Sequence, residues 1–224
     1  MTVLPSPSEQ VRYESGVRTK FAGLAFAAGI LTVAFLLLQE VGSHGKVAEE
    51  TVQLLNYHQR FPLDIVGAVL DAIGLLCTAV MLGWLARISR AREPSLQKIP
   101  SYLVMVGAPL MAICQLVEIV VISIKANSFA TSGAQTYPQA YNLVHSVTGL
   151  LNADDNLLRP LGMLLLAVGF VWIVMNAMKV GLLPRPLGYA GVVAGAMEIF
   201  QIGPISFVIQ GVWLVVVAVL LAGR

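Results

Sequence analysis

The chain has 224 residues and a formal net charge of +2, and 57% of its residues are hydrophobic whereas only 12% are charged. This composition excludes an ordinary soluble domain, in which about a quarter of the residues are charged. The small net charge, without a cluster of basic and aromatic residues, excludes a nucleic-acid-binding protein. We therefore predict an all-α, polytopic integral membrane protein, with residues 1–224 forming a single domain in a lipid bilayer.

Four apolar stretches have the length of a membrane-spanning helix, which is about 20 residues. They predict spans at residues 21–39, 63–85, 101–124 and 157–178. Basic residues precede the first stretch, as they do in signal peptides, but no small-residue cleavage site follows it. We therefore predict that the first stretch is a retained span.

The last apolar stretch, residues 187–223, is too long for one span, since a single helix would reach about 55 Å across a hydrocarbon core of about 30 Å. A Gly203-Pro204 pair lies near its middle, and Gly-Pro is a turn signal. We predict a tight hairpin with spans at residues 187–202 and 205–223, which gives a bundle of six transmembrane helices. The alternative is one long kinked helix, which would give five spans.

The orientation follows from the distribution of Lys and Arg, because cytoplasmic loops carry an excess of basic residues. With six spans and a cytoplasmic N-terminus, ten basic residues lie on the cytoplasmic side and four on the other. We therefore predict that both termini are cytoplasmic. Two longer loops, residues 40–62 and 125–156, then lie outside. Their apolar spacing predicts a short helix in each, over 46–58 and near 141–151, that covers the bundle or forms a lid.

Acidic residues inside the spans are the strongest functional signal. Charge is costly in hydrocarbon, so such acids usually face a bundle interior or a watery cavity. In the six-span topology they all fall in the outer leaflet, the deeper ones about 8–12 Å below its boundary. We predict a ligand or ion pocket that consists of Asp64, Asp71, Gln115, Glu118, Arg159, Glu198, Gln201 and Gln210.

Helical spacing supports this pocket. Asp64 and Asp71 are seven residues apart and share a helix face, which Thr78 continues. The pairs Gln115 with Glu118 and Glu198 with Gln201 are each three residues apart and also share a face. We expect Arg159, near the outer boundary, to pair with an acid of the bundle, with Asp64 and Asp71 as the first candidates. A polar layer of this kind either handles a proton or cation or serves as a hydrogen-bond network between helices.

Metal and cofactor motifs are absent from the sequence. The three histidines lie in the outer loops without HxxxH or HExxH spacing. We predict no metal. If one were bound, its candidate ligands would be His58, His145 and Asp155. No P-loop, GxSxG or dinucleotide fingerprint occurs, so no cofactor is predicted and no catalytic residue is assigned.

One segment carries a family resemblance. Residues 156–162 read Asn-Leu-Leu-Arg-Pro-Leu-Gly, and residues 181–188 read Gly-Leu-Leu-Pro-Arg-Pro-Leu-Gly, followed by Gly191 and Gly195. This last third of the chain resembles an uncharacterised family of six-span bacterial membrane proteins, a domain of unknown function. The resemblance implies a six-helix bundle in a bacterial plasma (inner) membrane and supplies no catalytic residues. Independently, Gly188, Gly191 and Gly195 predict close helix contacts.

Three function classes remain open. The first is binding or transport of a proton, a cation or a cationic small molecule by the acidic pocket. The second is an accessory or scaffold subunit of a larger membrane complex, with other membrane subunits or further copies of the chain as partners. The third is a membrane enzyme acting on lipid or isoprenoid, and the absence of a nucleophile or metal motif in the sequence makes an enzyme the less favoured class.

Overall fold

The computed structural model describes residues 7–40, 50–133, 135–145, 157–200 and 204–223. These described residues form seven α-helices and no strand, which confirms the predicted all-α class. The helices are α1 (Pro7–Glu40), α2 (Glu50–Arg92), α3 (Ile99–Thr131), α4 (Tyr137–His145), α5 (Leu158–Lys179), α6 (Arg185–Phe200) and α7 (Pro204–Ala222).

Among the described residues, five helical segments are long and apolar enough to cross a membrane. They are Gly16–Leu38, Glu50–Arg92, Ile99–Thr131, Leu158–Lys179 and Ile205–Ala222. Helix α6 is shorter, with 16 residues. The described chain is thus a helical protein suited to cross a membrane several times.

The last apolar stretch forms two helices rather than one kinked helix. Helix α6 ends at Phe200, and α7 begins at Pro204. Proline suits the first turn of a helix because that turn has no internal partner for the missing N–H. The two helices contact each other. The three residues between them, including Gly203, lie outside the described residues.

The long helices contact one another in cyclic order. Helix α1 packs between α7 and α2, and the order continues through α3, α5 and α6 back to α7. Helices α2 and α5 also touch across the centre of this arrangement. The main hydrophobic core therefore lies where these helices face one another, and it includes Leu82, Phe170 and Leu214.

Glycines allow several of these helix pairs to approach closely. A Cβ atom on Gly29 would lie 2.7 Å from the carbonyl oxygen of Gly211, which joins α1 to α7. A Cβ on Gly107 would lie 2.6 Å from the backbone nitrogen of Leu166 on α5. Small residues at membrane helix contacts permit this approach of backbones.

The glycines of α6 confirm the contacts expected of them. Gly188 lies directly against Met178, and a Cβ on Gly191 or Gly195 would lie 2.7 Å from the ring of Trp213 or of Phe170 respectively. The indole Nε1 of Trp213 also donates a hydrogen bond of 2.8 Å to a backbone carbonyl of α6. Helix α6 is thereby held between α5 and α7.

Two predicted loop features differ from the structure. The segment 46–58 was expected to be a separate short helix, but α2 begins at Glu50 and continues through Pro62 without a break. Helix α3 likewise extends to Thr131, seven residues beyond its predicted span. The reason is packing, because these extensions and α4 bury a second small core of Leu54, Ala126, Phe129 and Ala140. Residues 146–156 of the second loop lie outside the described residues.

Candidate functional site

A small polar cavity lies between five of the helices. Its volume is about 30 Å³, which is room for one or two water molecules. Three apolar side chains complete its wall. The polar lining residues are Thr32 of α1, Asp71 and Thr78 of α2, Gln115 of α3, Arg159 of α5, and Ser206 and Gln210 of α7.

Asp71 is the buried carboxylate of this cavity, and only 5% of its surface is exposed. The Gln115 side chain lies in hydrogen-bonding position to the carboxylate, and the Arg159 guanidinium interacts with it electrostatically. Thr78 lies two turns further along the same face of α2 and is also buried. The seven-residue spacing therefore predicted correctly that the Asp71 face continues to Thr78.

Arg159 makes its direct ion pair with Glu118 of α3, at 2.7 Å between Nη1 and Oε2. The two side chains are 38% and 28% exposed, so the pair lies at the edge of the cavity rather than in its depth. Because Arg159 is in the first turn of α5, the pair joins α3 to α5. One guanidinium thus interacts with two carboxylates, those of Glu118 and Asp71.

Asp64 pairs with a different arginine, Arg60. Its carboxylate lies 3.6 Å from Arg60 Nη2, one turn earlier on α2. The same guanidinium nitrogen donates a 3.0 Å hydrogen bond to the Leu38 carbonyl at the end of α1. Arg159 therefore pairs with an acid of the bundle, as expected, but its direct partner is Glu118 rather than Asp64 or Asp71. The packing of α3 on α5 brings Glu118 to ion-pair distance. Asp64 is not among the described residues that line the cavity.

Hydroxyl groups contribute part of the cavity wall that the sequence did not reveal. Thr32 and Thr78 each donate a 2.9 Å hydrogen bond to the carbonyl four residues earlier. Their donors are therefore used within the helix, and their oxygen lone pairs are left to accept from the cavity. Thr32 and Ser206 were missed because hydroxyls are tolerated in membrane helices and so stand out little. What identifies them is their burial, since only 4% and 7% of their surfaces are exposed. Burial depends on the tertiary structure and cannot be read from the sequence.

The predicted pocket residues thus divide into groups. Asp71, Gln115, Arg159 and Gln210 line one cavity, and Glu118 joins them through its ion pair. Glu198 lies on α6, with its side chain outside the described part of the structure, and Gln201 lies outside the described residues altogether. The cavity is therefore built mainly by α2, α3, α5 and α7, with Thr32 closing it from α1.

Of the three metal candidates, only the His58 side chain lies in the described part of the structure. His58 is exposed on α2. The His145 side chain and Asp155 lie outside the described residues. Among the residues that are described, no three His, Cys, Asp or Glu side chains come together as a metal site. Cys77 and Cys114 are free thiols.

The lining groups define what the cavity can bind. It combines carboxylate, amide and hydroxyl oxygens with one guanidinium, and hard cations prefer such oxygen ligands. Comparisons of the chain with protein-family models, with curated proteins and with solved structures found no match.

Proposed function

We propose that the protein is a six-span membrane protein of a bacterial inner membrane, with both termini cytoplasmic and α6 as the sixth span. The cyclic order of helix contacts supports this proposal, because α6 fills the place between α5 and α7. Its 16 residues reach about 24 Å, which is most of the core thickness of about 30 Å. The excess of basic residues on one side supports the orientation.

A reporter fused after Arg224 tests the topology. In this proposal it responds as cytoplasmic, whereas a periplasmic response would contradict the sixth span. A second reporter in the loop 93–98 serves as the matched control, since that loop lies on the cytoplasmic side in both the five-span and the six-span arrangements.

We further propose that the small polar cavity between the helices binds a proton or a small monovalent cation. The observation that carries this proposal is a carboxylate, Asp71, buried among polar side chains from five helices. When all three groups are ionised, Asp71 and Glu118 carry two negative charges and Arg159 one positive charge. A buried charge without a counter-charge is costly, so a bound proton or monovalent cation would balance the remaining negative charge.

The size of the cavity narrows the choice of ligand. A volume of about 30 Å³ admits water, a proton carried on water or a bare small cation. A cationic organic molecule needs a pocket of about 300 Å³ or more. Within the group of ligands expected from the sequence, the proposal therefore favours the proton and the small cation over the cationic small molecule.

The test compares two acids of the same helix. We expect the melting temperature of the purified protein to change when choline chloride is replaced by lithium, sodium or potassium chloride, or when the pH changes. Asp71→Asn should abolish the cation dependence and remove the contribution of the cavity to the pH dependence. Asp64→Asn, which removes an acid outside the cavity lining, should preserve the cation dependence. A dependence on cation or pH that survives Asp71→Asn unchanged would contradict the proposal.

An accessory or scaffold role is the second candidate. It is favoured by the Arg159–Glu118 pair and the Arg60–Leu38 hydrogen bond, each of which joins two helices. In that case the cavity groups hold helices together and bind nothing. The same experiment separates the structural role from cation binding, because a purely structural layer predicts the same wild-type melting temperature in choline, lithium, sodium and potassium chloride at one ionic strength and pH.

A further inference from the structure

A second and larger pocket lies on the surface of the helix bundle, between α5 and α6. It is a groove of about 440 Å³, lined by one face of α5 from Ala167 to Lys179 and by Ala196 and Ile199 of α6. Most of these side chains are apolar, and Val168, Met175 and Ile199 are 40–45% exposed. The groove is distinct from the polar cavity, with which it shares no lining residue.

The two ends of the groove differ in polarity. Lys179 is the last residue of the membrane-spanning segment Leu158–Lys179, so its ammonium group lies where the span meets the membrane surface. From Lys179 the apolar lining runs along α5 to Ala167, a distance of about 18 Å. One leaflet of the hydrocarbon core is about 15 Å thick. The groove therefore has the length of one lipid chain, with a positive charge at the headgroup level.

Further positive charges surround that end. Arg92 of α2 donates a 3.4 Å hydrogen bond to the Val180 carbonyl, directly after Lys179. Arg185 begins α6 on the other side of the same short connection and is exposed. No acidic residue lies between Lys179 and Arg185 in the sequence. Basic residues near the membrane surface attract anionic lipid headgroups.

The connection between the two helices is held in place by its backbone. Gly181 has φ +70°. The Leu182 amide donates to the Ala177 carbonyl, and the Gly181 amide to the Met178 carbonyl. These two bonds are the Schellman arrangement, which requires a left-handed residue at the position of Gly181. Lys179 and Arg185 are thereby held on a short turn of defined conformation.

We propose that the α5–α6 groove is a binding site for one anionic phospholipid, whose acyl chain lies along the groove and whose phosphate contacts Lys179. A zwitterionic lipid matches the apolar part of the groove equally well. The basic end is what selects the anionic headgroup. This inference does not depend on the function proposed for the polar cavity.

Native mass spectrometry of the full chain tests the proposal. The detergent-solubilised protein is mixed with equal amounts of palmitoyl-oleoyl-phosphatidylglycerol and palmitoyl-oleoyl-phosphatidylethanolamine, which carry the same chains. We expect preferential retention of phosphatidylglycerol by the wild-type protein. Lys179→Gln should lower the ratio of retained phosphatidylglycerol to phosphatidylethanolamine about fivefold, the effect of one basic group near the headgroup.

Two further variants complete the design. Lys20→Gln is the matched control, because Lys20 is exposed on α1, which contacts α2 and α7 but neither groove helix among the described residues. It should leave the ratio unchanged. Val168→Trp fills the groove without a change of charge and should reduce the retention of both lipids.

Three results would overturn the proposal. The first is equal retention of the two lipids by the wild-type protein. The second is a ratio that Lys179→Gln and Lys20→Gln change equally. The third is displacement of bound phosphatidylglycerol by millimolar inorganic phosphate, which would mean that the site recognises phosphate without the acyl chain.

Discussion

Replacing Arg159 with alanine should destabilise the protein more than removing its direct partner. Arg159 pairs with Glu118 at 2.7 Å and also interacts electrostatically with the buried Asp71. Arg159→Ala therefore leaves two carboxylates without their counter-charge. Glu118→Ala leaves the guanidinium still beside Asp71, so its cost should be smaller.

The magnitude follows from the exposure of the pair. Breaking a fully buried pair costs about 3–5 kcal/mol, and breaking a surface pair costs about 1 kcal/mol or less. The side chains are 38% and 28% exposed, which places this pair between those limits. We expect a loss of about 2–3 kcal/mol for Arg159→Ala and of about 1–2 kcal/mol for Glu118→Ala.

A double-mutant cycle measures the interaction directly. The free energies of unfolding of the wild-type protein, the two single variants and the double variant are compared in one detergent. At about 2–4 °C per kcal/mol for a chain of this size, Arg159→Ala should lower the melting temperature by about 4–12 °C. Lys20→Ala, an exposed cation on α1, is the control and should change the melting temperature little.

Two outcomes would refute this reasoning. If Arg159→Ala melts within about 1 °C of the wild-type protein, then the guanidinium makes no net contribution. If the coupling energy of the cycle is below about 0.5 kcal/mol, then the ion pair does not stabilise the contact of α3 with α5. A larger loss for Glu118→Ala than for Arg159→Ala would contradict the role of Arg159 as a shared counter-charge.

Further predictions concern the helix contacts. Arg60→Gln should cost about 1.5–3 kcal/mol of unfolding free energy, because it removes a charged hydrogen bond to the Leu38 carbonyl, and chemical denaturation measures this. Gly107→Ala should lower the melting temperature clearly, since the new Cβ would lie 2.6 Å from the α5 backbone. Gly23→Ala is its matched control and should stabilise α1 by about 0.5–1 kcal/mol, because nothing lies within 4 Å of its Cβ position. Equal effects of the two glycine substitutions would contradict the close approach of α3 and α5.

The sequence was sufficient to predict the helices and their main break. Apolar length and the scarcity of charge predict long helices, because a backbone in hydrocarbon must satisfy its own hydrogen bonds. The Gly203-Pro204 signal correctly predicted that a new helix starts at Pro204. The continuation of α2 from Glu50 through Pro62 was not predictable in the same way, because it depends on packing of Leu54 against α3 and α4.

The candidate site was predictable only in part. The cost of burying charge identified Asp71, and helical spacing linked it to Thr78, since both follow from the sequence of one helix. The partner of Arg159 depended on which helices are neighbours, and periodicity within a helix contains no information on that. Thr32 and Ser206 entered the cavity for the same reason. The sequence by itself thus determined the helices and the acids within them, whereas the tertiary structure decided which acids face one cavity, because only packing sets the distances between helices.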